Sequence, residues 1–147
     1  MKTTFKFIVA LAITAFTFGA CKNKTTVQTE VKNNATAGTW KITKYVDSGK
    51  DETADFTRYT FTFANDGTVT ASDTKGFVVN GSWSITDNNS KDDTKDDLHF
   101  VISFPTTNNF DKLNDDWSFI SQSSTKIELT DVSGGNGGTD YLTFEKN

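Results

Sequence analysis

The sequence has very few of the side chains on which most enzymes and metalloproteins depend. It contains one cysteine, Cys21, one histidine, His99, one arginine, Arg58, and one proline, Pro105. A single cysteine cannot close an internal disulfide, and a single histidine provides neither a Ser-His-Asp triad nor a multi-histidine metal site. We therefore expect a protein that is not an enzyme and that carries no metal and no other cofactor.

Positive charge is also scarce. The chain has 15 lysines and arginines against 19 acidic residues, which gives a formal net charge of −4. Proteins that bind nucleic acid through phosphate contacts carry a basic patch, and this sequence has none. The same shortage argues against an electrostatic grip on anionic lipid. Nucleic acid is therefore not expected among the partners.

The amino terminus has the layout of a secretory signal peptide over residues 1–20. Lys2 and Lys6 are basic, residues 7–18 form an apolar run, and Gly19 and Ala20 are small. The run is too short to cross a bilayer core of about 30 Å, which takes about 20 apolar residues. We therefore predict a leader that is removed, not a permanent membrane helix.

The end of this leader, "FGAC" at Phe18–Cys21, resembles the lipobox of bacterial lipoproteins. That resemblance implies that Cys21 is lipidated, palmitate being one of its acyl chains, and that the mature protein is held on a membrane by its lipid. Lys22 stands where an aspartate would signal inner-membrane retention, which favours the outer membrane of a Gram-negative cell envelope. The mature chain would have 13 basic and 19 acidic residues, a net charge of −6.

Residues 21–37 are predicted to be the lipidated cysteine and a flexible tether. The segment "KNKTTVQTEVKNNATA" is polar, and its few apolar residues suggest no amphipathic pattern. As a random coil it would reach roughly 20–25 Å. The remaining residues, 38–147, are enough for one domain.

Residues 38–147 read as an all-β domain. Apolar and polar residues alternate in short runs separated by turn residues, as in "YTFTFANDGTV" at Tyr59–Val69, where Asp66-Gly67 favours a tight hairpin turn. We count about eight antiparallel strands joined by short connections. Closing them into an up-and-down barrel removes the exposed edges, and a β-sandwich is the alternative. One short helix is predicted near residues 108–114, capped by Asn108 or Asn109 with Phe110 and Leu113 facing inward.

The segment "GTW" at Gly38–Trp40, at the start of the first strand, resembles the lipocalin hallmark. The layout "GTWKIT…YTFTFANDGTV…GSWSIT…YLTFEK" is similar to small lipocalin-like domains of bacterial lipoproteins over all of residues 38–147. The resemblance implies a lipocalin-like barrel whose closed end is plugged by Trp40. It carries over no ligand-binding residue.

Two interpretations of the function stay open at this stage. The first is a carrier of a small hydrophobic ligand, because eight strands enclose a lumen that is either filled by side chains or holds one small molecule. The second is a filled barrel that acts as a structural or protein-interaction module of the cell envelope, since the many inward-facing rings could occupy the lumen. The candidate ligand-binding residues, in the interior and at the mouth, are Trp40, Tyr59, Phe61, Trp83, Phe100, Phe110 and Trp117.

Strand order predicts which loops share one end of the barrel. In an up-and-down barrel these are 47–55, 73–76, 106–116 and 133–139, and we expect this mouth to be the place of ligand entry or partner contact. "GTWKIT" and "GSWSIT" fall on the first and fourth strands, which run in opposite directions. Their acidic segments, 50–55 and 91–96, should therefore lie at opposite ends.

The remaining polar groups are interpreted as solvated. His99 is predicted on the outward face of its strand. The acidic pairs Asp92–Asp93, Asp96–Asp97 and Asp115–Asp116 lack the Asp-x-Asp-x-Asp-Gly spacing of a calcium loop.

Overall fold

A computed structural model describes residues 24–87, 98–105, 108–132 and 138–147. The predicted leader, the predicted lipidation site Cys21 and the acidic segment 91–96 lie outside these described residues. Within them, no helix is both long and apolar enough to cross a membrane.

The described residues form one α-helix, nine strands and two short 3₁₀ helices. The 3₁₀ helices span Thr53–Asp55 and Asn109–Leu113. The other elements are α1 (Lys24–Thr36), β1 (Trp40–Asp47), β2 (Lys50–Asp51), β3 (Thr60–Phe63), β4 (Thr68–Ser72), β5 (Val78–Asp87), β6 (Leu98–Ser103), β7 (Asp115–Gln122), β8 (Lys126–Val132) and β9 (Thr139–Lys146).

Eight of the strands form a closed antiparallel barrel. The sheet order is β1-β3-β4-β5-β6-β7-β8-β9, and β1 also pairs with β9, so that Trp40 lies opposite Phe61 on one side and Lys146 on the other. The two-residue strand β2 only extends a hairpin with the end of β1. The pairing of the first strand with the last confirms the up-and-down barrel and excludes the sandwich. The predicted short helix is also confirmed, with the Asn108 side chain accepting from the Phe110 amide at 3.2 Å.

Aromatic rings fill the inside of the barrel. Phe100 is fully buried, and its ring centroid lies 5.2 Å from that of Phe63, 5.5 Å from Trp83 and 6.3 Å from Phe144. Every buried side-chain nitrogen or oxygen of the described residues has a hydrogen-bond partner. The interior is therefore a packed apolar core.

A bulge in β1 brings in a side chain that strict alternation would place outside. Trp40 and Ile42 face inward, but the register shifts between Ile42 and Lys44, and Tyr45 then points into the core. Its hydroxyl donates to the Lys112 carbonyl at 2.8 Å. Burial, followed by the nearby Asp47 carboxylate, raises the pKa of Tyr45 well above its usual range, so that it stays a neutral donor.

The flexible tether predicted before residue 38 is wrong for residues 24–36, which form α1. Val27, Val31 and Ala35 recur every four residues, so they share one helix face, and all three are buried. Val27 and Val31 pack with Leu98 of β6. Gln28 Nε2 donates to the Ile85 carbonyl, and Asn34 Nδ2 to Gln122 Oε1, each at 2.9 Å. The helix is therefore part of the folded domain.

The two Gly-x-Trp segments need their glycines for different reasons, and neither glycine simply makes room for its tryptophan. Gly38 has φ +100°, a conformation that other residues adopt only with strain. At Gly81 an added Cβ would lie 2.7 Å from the Phe104 ring and still closer to the Ser103 carbonyl oxygen. Gly38 thus allows the turn from α1 into β1, and Gly81 allows the end of β6 to approach β5.

Candidate functional site

Three connections meet at one end of the barrel, which we call the mouth: 48–59, 73–77 and the described part of 104–114. Lys112 Nζ lies 2.5 Å from Glu52 Oε2, which joins the first connection to the third. The Phe77 and Phe110 rings are nearly parallel with their centroids 6.2 Å apart, which joins the second connection to the third. The predicted grouping of loops is confirmed for these three, while 133–137 lie outside the described residues.

A cavity of about 550 Å³ opens at the mouth, and we call it the mouth cavity. This volume lies within the range of small-molecule sites. The residues that line it are Ala54, Asp55, Arg58, Tyr59, Phe77, Asn108, Asn109 and Phe110.

Three aromatic rings form the floor of the mouth cavity. Phe110 is buried and meets Tyr59 edge to face, with ring centroids 4.8 Å apart. Phe77 is 38% exposed and lies nearly parallel to Phe110, with an interplanar angle of 16°. The Phe77 ring therefore offers exposed aromatic surface at the mouth cavity, next to the Phe110 and Tyr59 rings.

A turn closed by Asp73 holds Phe77 in this place. Asp73 Oδ1 accepts hydrogen bonds from the backbone amides of Lys75 and Phe77, each at 2.9 Å. The amide of Phe77, with help from that of Lys75 and from Arg58, lowers the pKa of the Asp73 carboxyl, although its partial burial opposes this. Asp73 therefore stays ionised and fixes both the turn and the position of Phe77.

Arg58 and Asp55 place opposite charges on the rim of the cavity. The Arg58 guanidinium lies 4.6 Å above the Tyr59 ring centroid, donates to the Tyr59 hydroxyl and has its Nε 3.9 Å from Asp73 Oδ2. Asp55 Oδ2 lies 4.0 Å from Lys112 Nζ, which is too long for a hydrogen bond. Both groups therefore keep hydrogen-bonding capacity that a ligand could use.

The candidate ligand-binding residues separate into three groups. Tyr59 and Phe110 line the mouth cavity. Trp83 lines a second cavity, of about 400 Å³, at the opposite end between α1 and β5. The other four, each at most 1% exposed, are packed within the core: Trp40, Phe61, Phe100 and Trp117.

The buried tryptophans are fixed by their indole nitrogens. Trp40 donates to the Ala35 carbonyl of α1 at 2.8 Å, Trp83 to Ala64 at 2.9 Å, and Trp117 to Leu113 at 3.0 Å. These bonds satisfy the polar atom of each ring inside an apolar core. The three tryptophans therefore have structural partners already.

The other polar groups singled out in the sequence are engaged locally or lie outside the described residues. His99 is half-buried, and its Nδ1 lies 3.0 Å from the Asp116 carbonyl oxygen. Asp115, Asp116 and Asp131 bring carboxylate oxygens within 4.8 Å of one another, and burial raises the pKa of Asp115. Exposed acidic groups often cluster without an ion. The pairs Asp92–Asp93 and Asp96–Asp97 lie outside the described part of the chain.

Sequence reasoning missed the polar rim of the mouth cavity. The sequence does not predict Asp55, Arg58 and Asn109 as ligand-site residues, because loop residues carry no periodicity that would place them together. Arg58 is the lone arginine of the chain and directly precedes Tyr59, which was the one available signal. Alternation along "FVVNGSWSIT" points Phe77 inward with Trp83, but Phe77 lies just before β5, where the barrel ends, and it is 38% exposed.

The sequence matches no protein-family model and no curated protein. Among solved structures, the chain is similar to the crystal structure of a DUF4847 family protein from Bacteroides vulgatus. The two share 21% sequence identity, the match covers 80% of this chain and 97% of that one, and the TM-score is 0.50. At this identity the likeness supports the fold alone.

Proposed function

We propose that the protein is a lipid-anchored lipoprotein of the cell envelope whose barrel binds a small ring-containing ligand at its mouth. The observation that carries the ligand proposal is the contrast between the two regions. The interior is filled by rings such as Phe63 and Phe100, whereas the mouth cavity offers open space over an aromatic floor. The lipid anchor rests on the lipobox-like segment that ends in Cys21 and would place the protein on the outer membrane.

The anchor gives the first prediction. In cells, Cys21→Ser should move the protein from the membrane fraction to the soluble envelope fraction, because serine has no thiol for the acyl chains that hold the protein on the bilayer. Labelling with radioactive palmitate should mark the unchanged chain and not the variant. Equal membrane fractions for both chains would show that the anchor proposal is wrong.

A neutral hydrophobic fluorophore tests where a ligand binds. The chain from residue 22, which contains every described element, should bind N-phenyl-1-naphthylamine at one saturable site. Phe77→Ala should weaken binding by about tenfold or more, since it removes the exposed ring of the floor. Val78→Ala is the matched control, because Val78 is the next residue, is 57% exposed and does not line the cavity.

Two results would argue against this location. If Val78→Ala weakened binding as much as Phe77→Ala, the fluorophore would be binding nonspecifically to exposed apolar side chains. If Phe100→Ala alone changed the affinity, the site would lie in the interior.

The second candidate function is an interaction module without a small ligand. The observation in its favour is that two apolar side chains, Phe77 and Val78, are exposed next to each other at the mouth. A cross-linked envelope partner that is lost on both Phe77→Ala and Val78→Ala would favour this alternative, since protein contact uses both faces of the strand end.

A further inference from the structure

We propose that the ligand of the mouth cavity is a neutral pyranose, a sugar ring stacked on Phe77 with its hydroxyls held between Asp55 and Arg58. This inference rests on the proposed function, because it names the ligand class of the same site. It follows from the combination of one exposed aromatic ring with a rim of opposite charges.

The floor suits a ring with an apolar face. The Phe77 ring is 38% exposed and lines the cavity, and its centroid lies 5.6 Å from that of Tyr59 and 6.2 Å from that of Phe110. The face of an aromatic ring carries partial negative charge, and the axial C–H groups on one side of a pyranose carry partial positive charge. A sugar laid flat on Phe77 therefore gains contact area and weak C–H attraction together.

The rim suits adjacent hydroxyl groups. Asp55 is an acceptor, with its carboxylate 4.0 Å from Lys112 Nζ, and Arg58 is a donor with five N–H groups. A hydroxyl both donates and accepts, so one sugar hydroxyl can donate to Asp55 while its neighbour accepts from Arg58. Asn109, which is exposed at the same cavity, adds an amide that can do either.

The charges of the rim disfavour charged ligands. An anion beside Arg58 would also lie close to the Asp55 and Asp73 carboxylates, and Asp73 already partners the guanidinium at 3.9 Å. A cation beside Asp55 would meet Arg58 and Lys112. A neutral polyhydroxylated ring satisfies both groups without placing like charges together.

Saturation-transfer NMR on the complete lipidated chain in nanodiscs tests the proposal, with methyl β-glucopyranoside and methyl β-galactopyranoside as probes. At least one should show saturable transfer with a dissociation constant of about 1 mM, because one ring makes few contacts. Transfer should be strongest at the protons of one ring face.

Variants of the floor and the rim sharpen the test. Phe77→Ala and Asp55→Asn should each weaken binding by about fivefold or more. Asp111→Asn is the matched control, because Asp111 is an exposed carboxylate of the neighbouring 3₁₀ helix that does not line the cavity. It should leave the dissociation constant within about twofold.

The outcomes separate this inference from the proposed function. If the fluorophore binds in a Phe77-dependent way but neither pyranoside shows transfer, the sugar proposal is wrong and the mouth site stands. If cyclohexanecarboxylate or cyclohexylammonium binds more tightly than either pyranoside, the ligand is a charged ring and the sugar proposal again fails. If neither fluorophore nor sugar binds, both proposals fall.

Discussion

Replacing Phe100 by alanine is expected to lower the free energy of unfolding by about 3–5 kcal/mol and the melting midpoint by about 10–20 °C. Phe100 is fully buried and its ring contacts those of Phe63, Trp83, Phe119 and Phe144. Removing the ring leaves a cavity, and the surrounding rings cannot fill it because they are held on several different strands. Urea unfolding followed by tryptophan fluorescence measures the loss.

The control is Ile120→Ala, which removes an apolar side chain that is 55% exposed on β7. It should cost less than about 1 kcal/mol. Benzene should raise the melting midpoint of Phe100→Ala and not that of the unchanged protein, because an apolar cavity of ring size binds such a molecule. If Phe100→Ala lowered the free energy of unfolding no more than the control does, the interior would not be tightly packed. A ligand site inside the barrel would then be the better interpretation.

The second large effect is expected at the helix, where Val31→Asp should cost about 2–4 kcal/mol at neutral pH. Val31 is 1% exposed and packs with Val27 and Leu98. An unpaired carboxylate there must either be buried or release α1 from the barrel. Release would also remove the Ala35 carbonyl that accepts the Trp40 indole N–H. The backbone amides of α1 should then exchange faster with solvent, and urea denaturation should give the loss in the free energy of unfolding.

Asn33→Asp is the matched control, because it adds the same charge on the exposed face of the same helix. Burial raises the pKa of a carboxyl in the folded state, so the penalty of Val31→Asp is present in full above that pKa. It should shrink as the pH is lowered from the folded-state pKa towards the unfolded-state pKa of about 3.9, and it should vanish below that value, where the carboxyl is protonated in both states. Equal costs for the two variants would show that α1 is not docked.

Much of the fold follows from local patterns. Alternation in "YTFTF" and the Asp-Gly turn predict the β3–β4 hairpin, and Phe63 indeed lies opposite Val69. The Asn108 cap and the short helix after it were equally readable, because capping depends on neighbouring residues only. The helix α1 was missed, since three small apolar residues in a polar segment give a weak signal until a barrel is there to bury them.

The site was less predictable than the fold. Phe110 lines the mouth cavity as predicted, because strand order places its loop at that end. Tyr59, predicted as an inward-facing strand residue, lines the same cavity. Asp55 and Phe77 come from different loops, and no repeating pattern in the sequence predicts that they lie close together. Their approach depends on how far each strand extends and on the turn that Asp73 closes.

The sequence by itself determined the number and direction of the barrel strands, most of the inward rings and three of the loops that meet at the mouth, because alternation and turn chemistry act over a few residues. It also contains the segment at residues 18–21 that resembles a lipobox, which lies outside the described residues. Only the tertiary structure decided that the interior is full, that α1 covers the opposite end and that Tyr45 turns inward at a bulge. Those outcomes depend on side-chain volumes and contacts between residues far apart in the chain, which no local pattern records.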